Sequence, residues 1–407
     1  MPKQSIRLAT RGSALALRQA GEVRSALEDR RHDVELVEVE TTGDRLEDAL
    51  VQDLGKTGAF VRSLDREVLD GDADAAVHSM KDVPTDVPND LVVAAVPRRA
   101  NPADVLVTAD GTGLEDLPSG SVVGTASLRR GAQVRAHRPS LEVEPIRGNV
   151  DTRVEKLLAP ALQAEHERRQ EAERERREAD EREQQRDEYT PDIEAGVENL
   201  NDASDADDNE ADDSNDGPST SASEGGSRQN AEYDQTVEEW FDSLSELQRN
   251  ALGHEIDTEY DALVLAQVGL ERTGLIHHVN TEELPTDTHV PAPGQGALCV
   301  TAERDSDTAD AIRDALDHVR SRIEVTAERV VLESLGGGCI APIGVHAVVQ
   351  GDAVHADVQV FDRSGGQQVG ESRDLDVENY ADDARYLADD LRDRGAADLI
   401  EAAKRED

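Results

Sequence analysis

Residues 121–130 (SVVGTASLRR) indicate the fold most directly, because a short apolar run leads through a polar turn into helix-forming residues. The same order occurs at residues 6–13 (IRLATRGS), which an amphipathic stretch follows at 14–27. Further short apolar runs lie at 34–39, 73–77, 91–96 and 141–146. Alternating strand and helix patterns of this kind are typical of α/β domains. We therefore predict an α/β fold over residues 6–158.

Length and charge exclude several classes of protein. The chain has 407 residues and a formal net charge of −46, and it contains no apolar run near the ~20 residues that a membrane span needs. A surface this acidic repels phosphate backbones and anionic lipids, so we expect neither a nucleic-acid nor a membrane partner. Arginine far outnumbers lysine, which suggests adaptation to a salty cytoplasm where counterions screen the negative charge. The first residues lack the apolar core of a secretory signal, so we expect a cytoplasmic protein.

The composition changes abruptly over residues 159–258, which carry nearly half of the net charge in a quarter of the length. Residues 165–188 place opposite charges four apart in Glu165/Arg169, Glu173/Arg177 and Glu178/Arg182, which predicts a solvated single helix. Residues 199–228 have too little apolar surface to fold, so we predict disorder there. Residues 237–244 contain the only tryptophan, Trp240, and predict either a docking helix or a helix that closes this insert against the body of the protein.

Ordered patterns resume after the insert. Residues 260–266 read as a buried strand, and residues 291–301 read as a turn followed by a strand. Residues 309–407 contain a predicted helix at 312–331, strands at 345–349 and 356–360, and a terminal helix. This last segment is predicted to be a small α+β domain.

Five arginines lie where predicted strands end and helices begin: Arg11, Arg129, Arg130, Arg147 and Arg153. Guanidinium groups bind carboxylates through two hydrogen bonds, and helix N-termini add unpaired N–H groups. The pattern favours an anionic ligand, although ordinary surface ion pairs could also account for any one of these residues.

Two further residues are candidates for chemistry. Asp82 follows a predicted strand within residues 77–84 (VHSMKDVP) and could stabilise a cation or exchange a proton, or it could cap a helix. Cys339 follows three glycines, which present a thiol on an uncrowded loop, so it is the candidate for covalent chemistry. Cys299 lies in an apolar run and is predicted to be core. Two cysteines form neither a disulfide framework nor a cysteine-rich zinc site, and we predict no metal.

Six motifs, in order along the chain, resemble the porphobilinogen deaminase (hydroxymethylbilane synthase) family. They lie at residues 9–16 (ATRGSALA), 77–84 (VHSMKDVP), 124–130 (GTASLRR), 147–153 (RGNVDTR), 293–297 (PGQGA) and 337–344 (GGCIAPIG). The match covers both ends of the chain and fails only across the insert.

The resemblance implies three domains. Residues 1–100 with 292–314 would form the first and residues 101–291, interrupted by the insert at about 159–258, the second; both would resemble type II periplasmic-binding-protein domains. Residues 315–407 would form the third, a small α+β domain. The implied enzyme is a monomeric transferase that joins porphobilinogen head-to-tail, with loss of ammonia, into the linear tetrapyrrole hydroxymethylbilane. The implied cofactor is a dipyrromethane primer, held by a thioether to Cys339.

The resemblance also implies roles for individual residues, with Asp82 as the catalytic acid that faces the pyrrole N–H groups. The residues implied to hold the cofactor, besides Cys339, are Ser13, Lys81, Asp82, Thr125, Ser127, Arg129, Arg130, Arg147, Gly148 and Gln295. Those implied to bind substrate carboxylates are Arg11, Arg147, Arg153, Ser79 and Gln19. Lys56, Gly58 and Phe60 belong to a loop that departs from the family pattern, because its lysine is displaced by one position and Asp53 replaces a commonly basic residue.

Two other classes of function fit parts of the sequence. Paired α/β domains with an arginine-lined cleft also occur as anion-binding or solute-binding sensor modules that perform no chemistry. An interaction protein that acts through residues 165–250 is the other alternative, and it would require a partner for the acidic insert.

Overall fold

The computed structural model of the chain describes residues 5–39, 59–85, 88–188, 233–336 and 341–405. It divides into two compact units, Met1–Leu158 with His254–Asp407 and Ala159–Gly253. In the described part of the chain, no helix is both long and apolar enough to span a bilayer.

The strands of the described residues are, in chain order, β1 (Ser5–Arg11), β2 (Asp33–Val39), β3 (Ala75–Ser79), β4 (Leu91–Ala95), β5 (Asp104–Thr108), β6 (Val122–Gly124), β7 (Glu142–Glu144), β8 (Ala262–Ala266), β9 (Asn280–Glu283), β10 (Leu298–Glu303), β11 (Ile343–Gln350), β12 (Ala353–Phe361) and β13 (Gln368–Asp376). The helices are α1 (Ala14–Asp29), α2 (Ala59–Leu69), α3 (Leu128–His137), α4 (Val150–Glu188), α5 (Val237–Ser243), α6 (Glu246–Leu252), α7 (Gln267–Thr273), α8 (Asp307–Leu316), α9 (Val319–Leu335), α10 (Tyr380–Leu391) and α11 (Ala397–Arg405).

The first sheet has the strand order β2-β1-β3-β10-β4. Strands β1, β2 and β3 run parallel, whereas β10 runs antiparallel to both β3 and β4. Apolar residues of β1, such as Ile6 and Leu8, pack with Ala20 and Leu27 of α1 in one core. The predicted run of strand, helix and strand at the start of the chain is confirmed.

The second sheet repeats this plan in the order β7-β6-β8-β5-β9, with β6 parallel to its neighbours and β5 antiparallel to β8 and β9. In both sheets the antiparallel strand comes from a segment that crosses over from the other half of the chain. Two sheets with the same order and exchanged strands form the type II periplasmic-binding-protein arrangement, so the predicted fold class is confirmed.

The third sheet is antiparallel, in the order β11-β12-β13. Helices α9, α10 and α11 cover it, and Val345, Val358, Leu387 and Ile400 are fully buried in their common core. This is the small α+β domain that the C-terminal sequence predicts.

The predicted single helix at 312–331 is wrong, because the chain forms two helices, α8 and α9, that a break at Asp317 and His318 separates. The Asp317 carboxylate accepts a hydrogen bond from the backbone N–H of Val96 at 2.8 Å and pairs with Arg322 at 2.7 Å. The distant contact with Val96 and the local pair with Arg322 hold Asp317 in an extended conformation, which ends α8.

The unit Ala159–Gly253 contains most of α4, with α5 and α6. The three predicted ion pairs of the long helix are confirmed: Glu165–Arg169 at 2.7 Å, Glu173–Arg177 at 2.5 Å and Glu178–Arg182 at 3.0 Å. The helix begins earlier than predicted, at Val150. Trp240 of α5 is buried and stacks on His166 of α4, with ring centroids 5.7 Å apart. The predicted disordered stretch 199–228 lies outside the described residues.

Candidate active site

A cleft lies at the carboxyl ends of β1, β3 and β8, between the first and second sheets. Loops at the carboxyl ends of strands are where α/β sheets bind ligands. Ten of the predicted site residues line this cleft: Arg11, Ser13, Gln19, Ser79, Lys81, Asp82, Arg130, Gly148, Arg153 and Gln295. Residues far apart in sequence are therefore brought to one place by the two crossing sheets.

The first wall of the cleft is the turn from β1 into α1. Arg11 ends β1, and the side chain of Ser13 caps α1 by accepting a hydrogen bond from the N–H of Ala16 at 3.3 Å. Residues of the first turn of α1 line the cleft, with Gln19 one turn further along. The unpaired N–H groups of a helix N-terminus favour an anionic ligand.

The second wall follows β3. A single 3-10 turn, Met80–Asp82, buries Met80 and leaves Lys81 and Asp82 exposed in the cleft. Asp82 ends this turn and is not at its N-terminus, so the N-capping alternative is not what the structure has. Behind the turn, His78 Nε2 lies 3.0 Å from both Asp65 Oδ1 and Thr301 Oγ1, a buried cluster that holds the end of β3.

The third wall is formed by α3, whose neighbouring residues Arg129 and Arg130 differ in whether they line the cleft. Arg129 is buried, donates to Asp104 Oδ2, to Gln133 and to the carbonyl of Val290, each at 2.8 Å, and does not line the cleft. Arg130 lines the cleft, and its Nε donates to Asp104 Oδ1 at 2.9 Å. Burial alone would raise the pKa of Asp104, but the charges of the two arginines lower it to about 2.

Thr125 and Ser127 arrange the start of α3 and do not themselves line the cleft. Thr125 is buried, and its hydroxyl accepts a hydrogen bond from the N–H of Ser127 at 3.2 Å. Ser127 in turn caps α3 by accepting from the N–H of Arg130. Their side chains therefore fix where α3 begins, and with it the position of Arg130.

Arg153, the fourth residue of α4, also lines the cleft. Its Nε donates to the carbonyl of Gly148 at 2.9 Å, and no carboxylate pairs with it among the residues that the structure describes. Burial, and then repulsion by Arg130, lowers the pKa of Arg153 to about 10, so it stays protonated at neutral pH. Gly148 adopts a φ of +108°, and a Cβ there would lie 2.8 Å from Thr152, which requires glycine at this turn. Arg147, beside it, is exposed and does not line the cleft.

Some predicted site residues are not placed by the structure. Lys56, Gly58 and Cys339 lie outside the described residues, and Phe60 belongs to the first turn of α2. Cys299 is fully buried in β10, as predicted, and burial raises the pKa of its thiol to about 12.

The sequence analysis missed two residues of the site: Asp104, which lies behind the cleft, and Arg272, which lines it. Asp104 opens an apolar strand and is fully buried, and a buried aspartate requires a partner. Arg272, near the end of α7, lines the cleft and pairs with Glu22 of α1 at 3.0 Å. The argument used for the five predicted arginines does not select Arg272, because it lies in the last turn of a helix and not where a strand ends.

These features together define a class: a paired α/β protein whose interdomain cleft is lined with arginine and lysine around one exposed aspartate, suited to a small anionic ligand. Comparison with known proteins makes this specific. The family model "Porphobilinogen deaminase, dipyromethane cofactor binding domain" matches residues 6–165 and 245–311, and "Porphobilinogen deaminase, C-terminal domain" matches residues 322–392. The chain belongs to the porphobilinogen deaminase family.

Relatives agree with this assignment. The chain is 71% identical to a probable porphobilinogen deaminase of Halobacterium salinarum, over the full length of both chains. It is 34% identical to a porphobilinogen deaminase of Acidothermus cellulolyticus, covering 98% of this chain and 92% of the relative. A solved methionine-binding protein, MetQ, covers 76% of this chain and 89% of its own, but at 10% identity and a TM-score of 0.31 it carries no argument.

The family assignment confirms several predictions. The chain is a transferase that polymerises porphobilinogen into hydroxymethylbilane, and its cofactor is dipyrromethane. The sensor alternative is not favoured, because the family is one of enzymes. The family model leaves residues 166–244 unmatched, which falls within the predicted insert.

Proposed function

We propose that the cleft holds the dipyrromethane cofactor and the growing chain by their carboxylates, with Arg130 and Arg153 as the principal cations. The observation that carries this proposal is Arg153, a partly buried guanidinium beside Arg130 that pairs with no carboxylate among the described residues. A buried charge without a partner is costly, so such a site favours an anion that supplies the missing carboxylate. Arg11, Ser13, Ser79, Gln19, Lys81, Gly148 and Gln295 would complete the lining.

Asp82 is the catalytic residue in this proposal. It is exposed in the cleft, and its carboxylate has no hydrogen-bond partner among the described residues, so it is free to accept the N–H of a pyrrole. There it would stabilise positive charge that develops on the substrate ring when ammonia leaves, and hold the proton that the ring releases.

Cys339 is the proposed point of attachment, by a thioether to the dipyrromethane. When bound, this group supplies the free α-carbon to which the first substrate pyrrole is joined. Arg129, Thr125, Ser127 and Arg147 would support the site from outside the cleft, as the contacts of α3 indicate for the first three.

The attachment is tested by the mass of the purified, intact protein. We expect an adduct of one dipyrromethane on the wild-type chain and none on Cys339→Ser. Cys299→Ser is the matched control: it removes a buried thiol with a pKa raised to about 12, and it should keep the adduct. An adduct retained by Cys339→Ser would refute the assignment of this residue.

The role of Asp82 is tested by Asp82→Ala. We expect the variant to fold and to carry the adduct, with turnover reduced roughly 10²–10⁴-fold, the range for loss of a group that transfers or holds a proton. Turnover within threefold of wild type, with the adduct present, would show that Asp82 is not the catalytic acid.

We also propose that the enzyme acts as a monomer in concentrated salt, which the net charge of −46 supports because counterions must screen it. We propose domain boundaries at 1–100 with 292–314, 101–291 and 315–407, and the division of the strands into three sheets supports them. We propose that the insert at 159–258 is an appendage to the second domain and not part of the active site.

A further inference from the structure

A buried carboxylate lies directly behind Arg130. The side chain of Asp104 is 1% exposed, and both of its oxygens are engaged. Oδ1 accepts from Nε of Arg130 at 2.9 Å and from Nε2 of Gln295 at 2.8 Å, and Oδ2 accepts from Nη2 of Arg129 at 2.8 Å. The donors come from α3 and from the loop before β10, so one carboxylate joins two distant segments.

The backbone fixes where this carboxylate lies. Asp104 is the first residue of β5, pairs with Ala266 of β8, and accepts a hydrogen bond from the N–H of Leu284 through its carbonyl at 2.9 Å. Strand β5 lies between β8 and β9, so it is held from both sides. A carboxylate on such a strand is a rigid reference point for the side chains that bind it.

Asp104 restricts the orientation of Arg130. A guanidinium group presents five N–H donors in one plane. Nε of Arg130 is taken by Asp104, and Nη2 lies 2.8 Å from Asp104 Oδ1 and donates to Gln295 at 3.2 Å. Nη1 has no partner among the described residues, so it is the nitrogen left for a carboxylate in the cleft. A guanidinium held in this way loses less conformational entropy when it binds.

The charges of Asp104 and Arg129 cancel, which leaves the charge of Arg130 available for a ligand in the cleft. Arg129 does not line the cleft, and its charge is opposed to that of Asp104. Arg129 therefore serves as the counter-charge of the buried carboxylate, and the positive charge of Arg130 remains for the cleft. Since the pKa of Asp104 is lowered to about 2, its carboxylate is ionised at any working pH.

We propose that Asp104 is a positioning residue, which orients Arg130 so that its free edge meets the carboxylates of the pyrrole chain. The inference rests on the carboxylate-binding role proposed above for Arg130, and it extends that role to a residue outside the cleft.

A double-mutant cycle tests this with Asp104→Asn, Arg130→Gln and the double variant, each with its adduct verified by mass. Asp104→Asn keeps the side-chain shape but removes the charge. We expect it to lower kcat/KM for porphobilinogen about tenfold, the effect of roughly one charge-assisted hydrogen bond. In the Arg130→Gln background the same change should have no further effect, because Asp104 acts through Arg130.

The outcomes distinguish the two proposals. If Arg130→Gln alone leaves kcat/KM unchanged, the carboxylate-binding role of Arg130 is wrong. If Arg130→Gln lowers kcat/KM but Asp104→Asn causes the same loss in both backgrounds, only the positioning role is wrong.

Asp317→Asn is the control for loss of an ion-paired aspartate. The side chain of Asp317 is 14% exposed, pairs with Arg322 at 2.7 Å and accepts from the N–H of Val96, and none of these three residues lines the cleft. We expect this control to lower Tm about as much as Asp104→Asn does, while its kcat/KM stays within about twofold of wild type. A tenfold loss in this control would attribute the effect of Asp104→Asn to general destabilisation and overturn the proposal.

A second measurement does not depend on Asp104→Asn folding. In the wild-type protein, the ¹⁵N–¹H signal of Arg130 Nε, assigned by its disappearance in Arg130→Gln, should exchange slowly with solvent because Asp104 accepts it in a buried position. Fast exchange at that signal would contradict the geometry on which the proposal depends.

Discussion

Arginines that are equivalent in the sequence take different roles according to the carboxylates near them. Arg129 is neutralised by Asp104, Arg130 shares that carboxylate and faces the cleft, and Arg153 pairs with no carboxylate among the described residues. The sequence predicted that these residues bind an anionic ligand, but it could not show which of them already have a carboxylate partner. That partner for Arg129 and Arg130 is Asp104, which lies 25 and 26 residues away from them in the chain.

His289 is a second buried group whose environment determines its charge. It is 3% exposed, its ring meets that of His137 edge-on at 5.2 Å, and its Nε2 has no hydrogen-bond partner in the part of the chain that the structure describes. Burial, and then repulsion by His137, lowers the pKa of His289 from 6.5 to about 4. The folded protein therefore holds this imidazole neutral where the unfolded chain protonates it.

We expect His289 to make stability fall on acidification. Because its folded pKa lies below its unfolded value, its contribution is fully present above pH 6.5 and is lost as the pH falls toward 4. The loss should reach about 2 kcal/mol at pH 5. Urea unfolding at pH 7 and pH 5 measures it, and His289→Gln should reduce the difference between the two values by that amount.

His277→Gln is the control, since it removes an exposed imidazole and should leave the pH dependence of wild type unchanged. An equal loss of stability on acidification in wild type and His289→Gln would mean that His289 is not the group responsible.

At the scale of elements, the turn between β12 and β13 packs against α3, the helix that carries Arg129 and Arg130. Gly365 in this turn has a φ of +75°, and a Cβ there would meet the carbonyl of Ala132 and lie 3.0 Å from the N of Ala136. Arg135 of the same helix donates to the carbonyl of Arg363 at 3.2 Å. The third sheet is thus in direct contact with the helix that positions the arginines.

Gly365→Ala should be more destabilising than the same change in the turn between β11 and β12. Gly351 there has a similar φ of +66°, but its Cβ would meet nothing within 4 Å. Gly351→Ala therefore carries only the backbone strain, about 1–2 kcal/mol, whereas Gly365→Ala adds a steric cost of about 1–3 kcal/mol. The free energy of unfolding in urea measures both, and equal losses would show that the turn does not press on α3.

Elements whose signal is local were predicted, and elements that distant residues determine were not. The buried strand at 260–266 and the helix at 14–27 appear as β8 and α1 because their periodicity needs no partner to be read. Strand β5 was missed because it opens with Asp104. A carboxylate can be buried there only because α3 and Gln295 donate hydrogen bonds to it. The break between α8 and α9 was missed because Asp317 is fixed by Val96, 221 residues away.

At the scale of the whole molecule, the two crossing segments bring the three sheets together. Arg99 on the first crossing donates through Nε to the carbonyl of Gln295 on the second at 2.8 Å. Glu328 of α9 pairs with Arg99 and accepts from the N–H of Gly294 at 2.7 Å. The third sheet is therefore tied, through Glu328 of α9, to the point where the two α/β halves exchange strands.

The last prediction concerns the acidic insert. The family model stops at residue 165 and resumes at 245, and in the unit Ala159–Gly253 the side chain of Gln163 donates to the carbonyl of Leu252 at 3.2 Å. The two ends of the segment are thus close enough for a short glycine-serine linker to replace residues 166–244. We expect this deletion variant to keep kcat/KM within about twofold of wild type in molar KCl, since none of the residues lining the cleft is removed.

The deletion should also lower the salt requirement for stability, because it removes much of the charge that repels itself and that counterions must screen. Tm measured against KCl concentration should reach its plateau at lower salt than in wild type. A full-length variant with the Asp and Glu of residues 202–216 changed to Asn and Gln separates the effect of charge from that of length. In this variant, the KCl concentration at which Tm reaches its plateau should also fall, but by less than in the deletion variant. Loss of turnover by the deletion variant, with its adduct and circular dichroism intact, would instead assign the insert a part in catalysis.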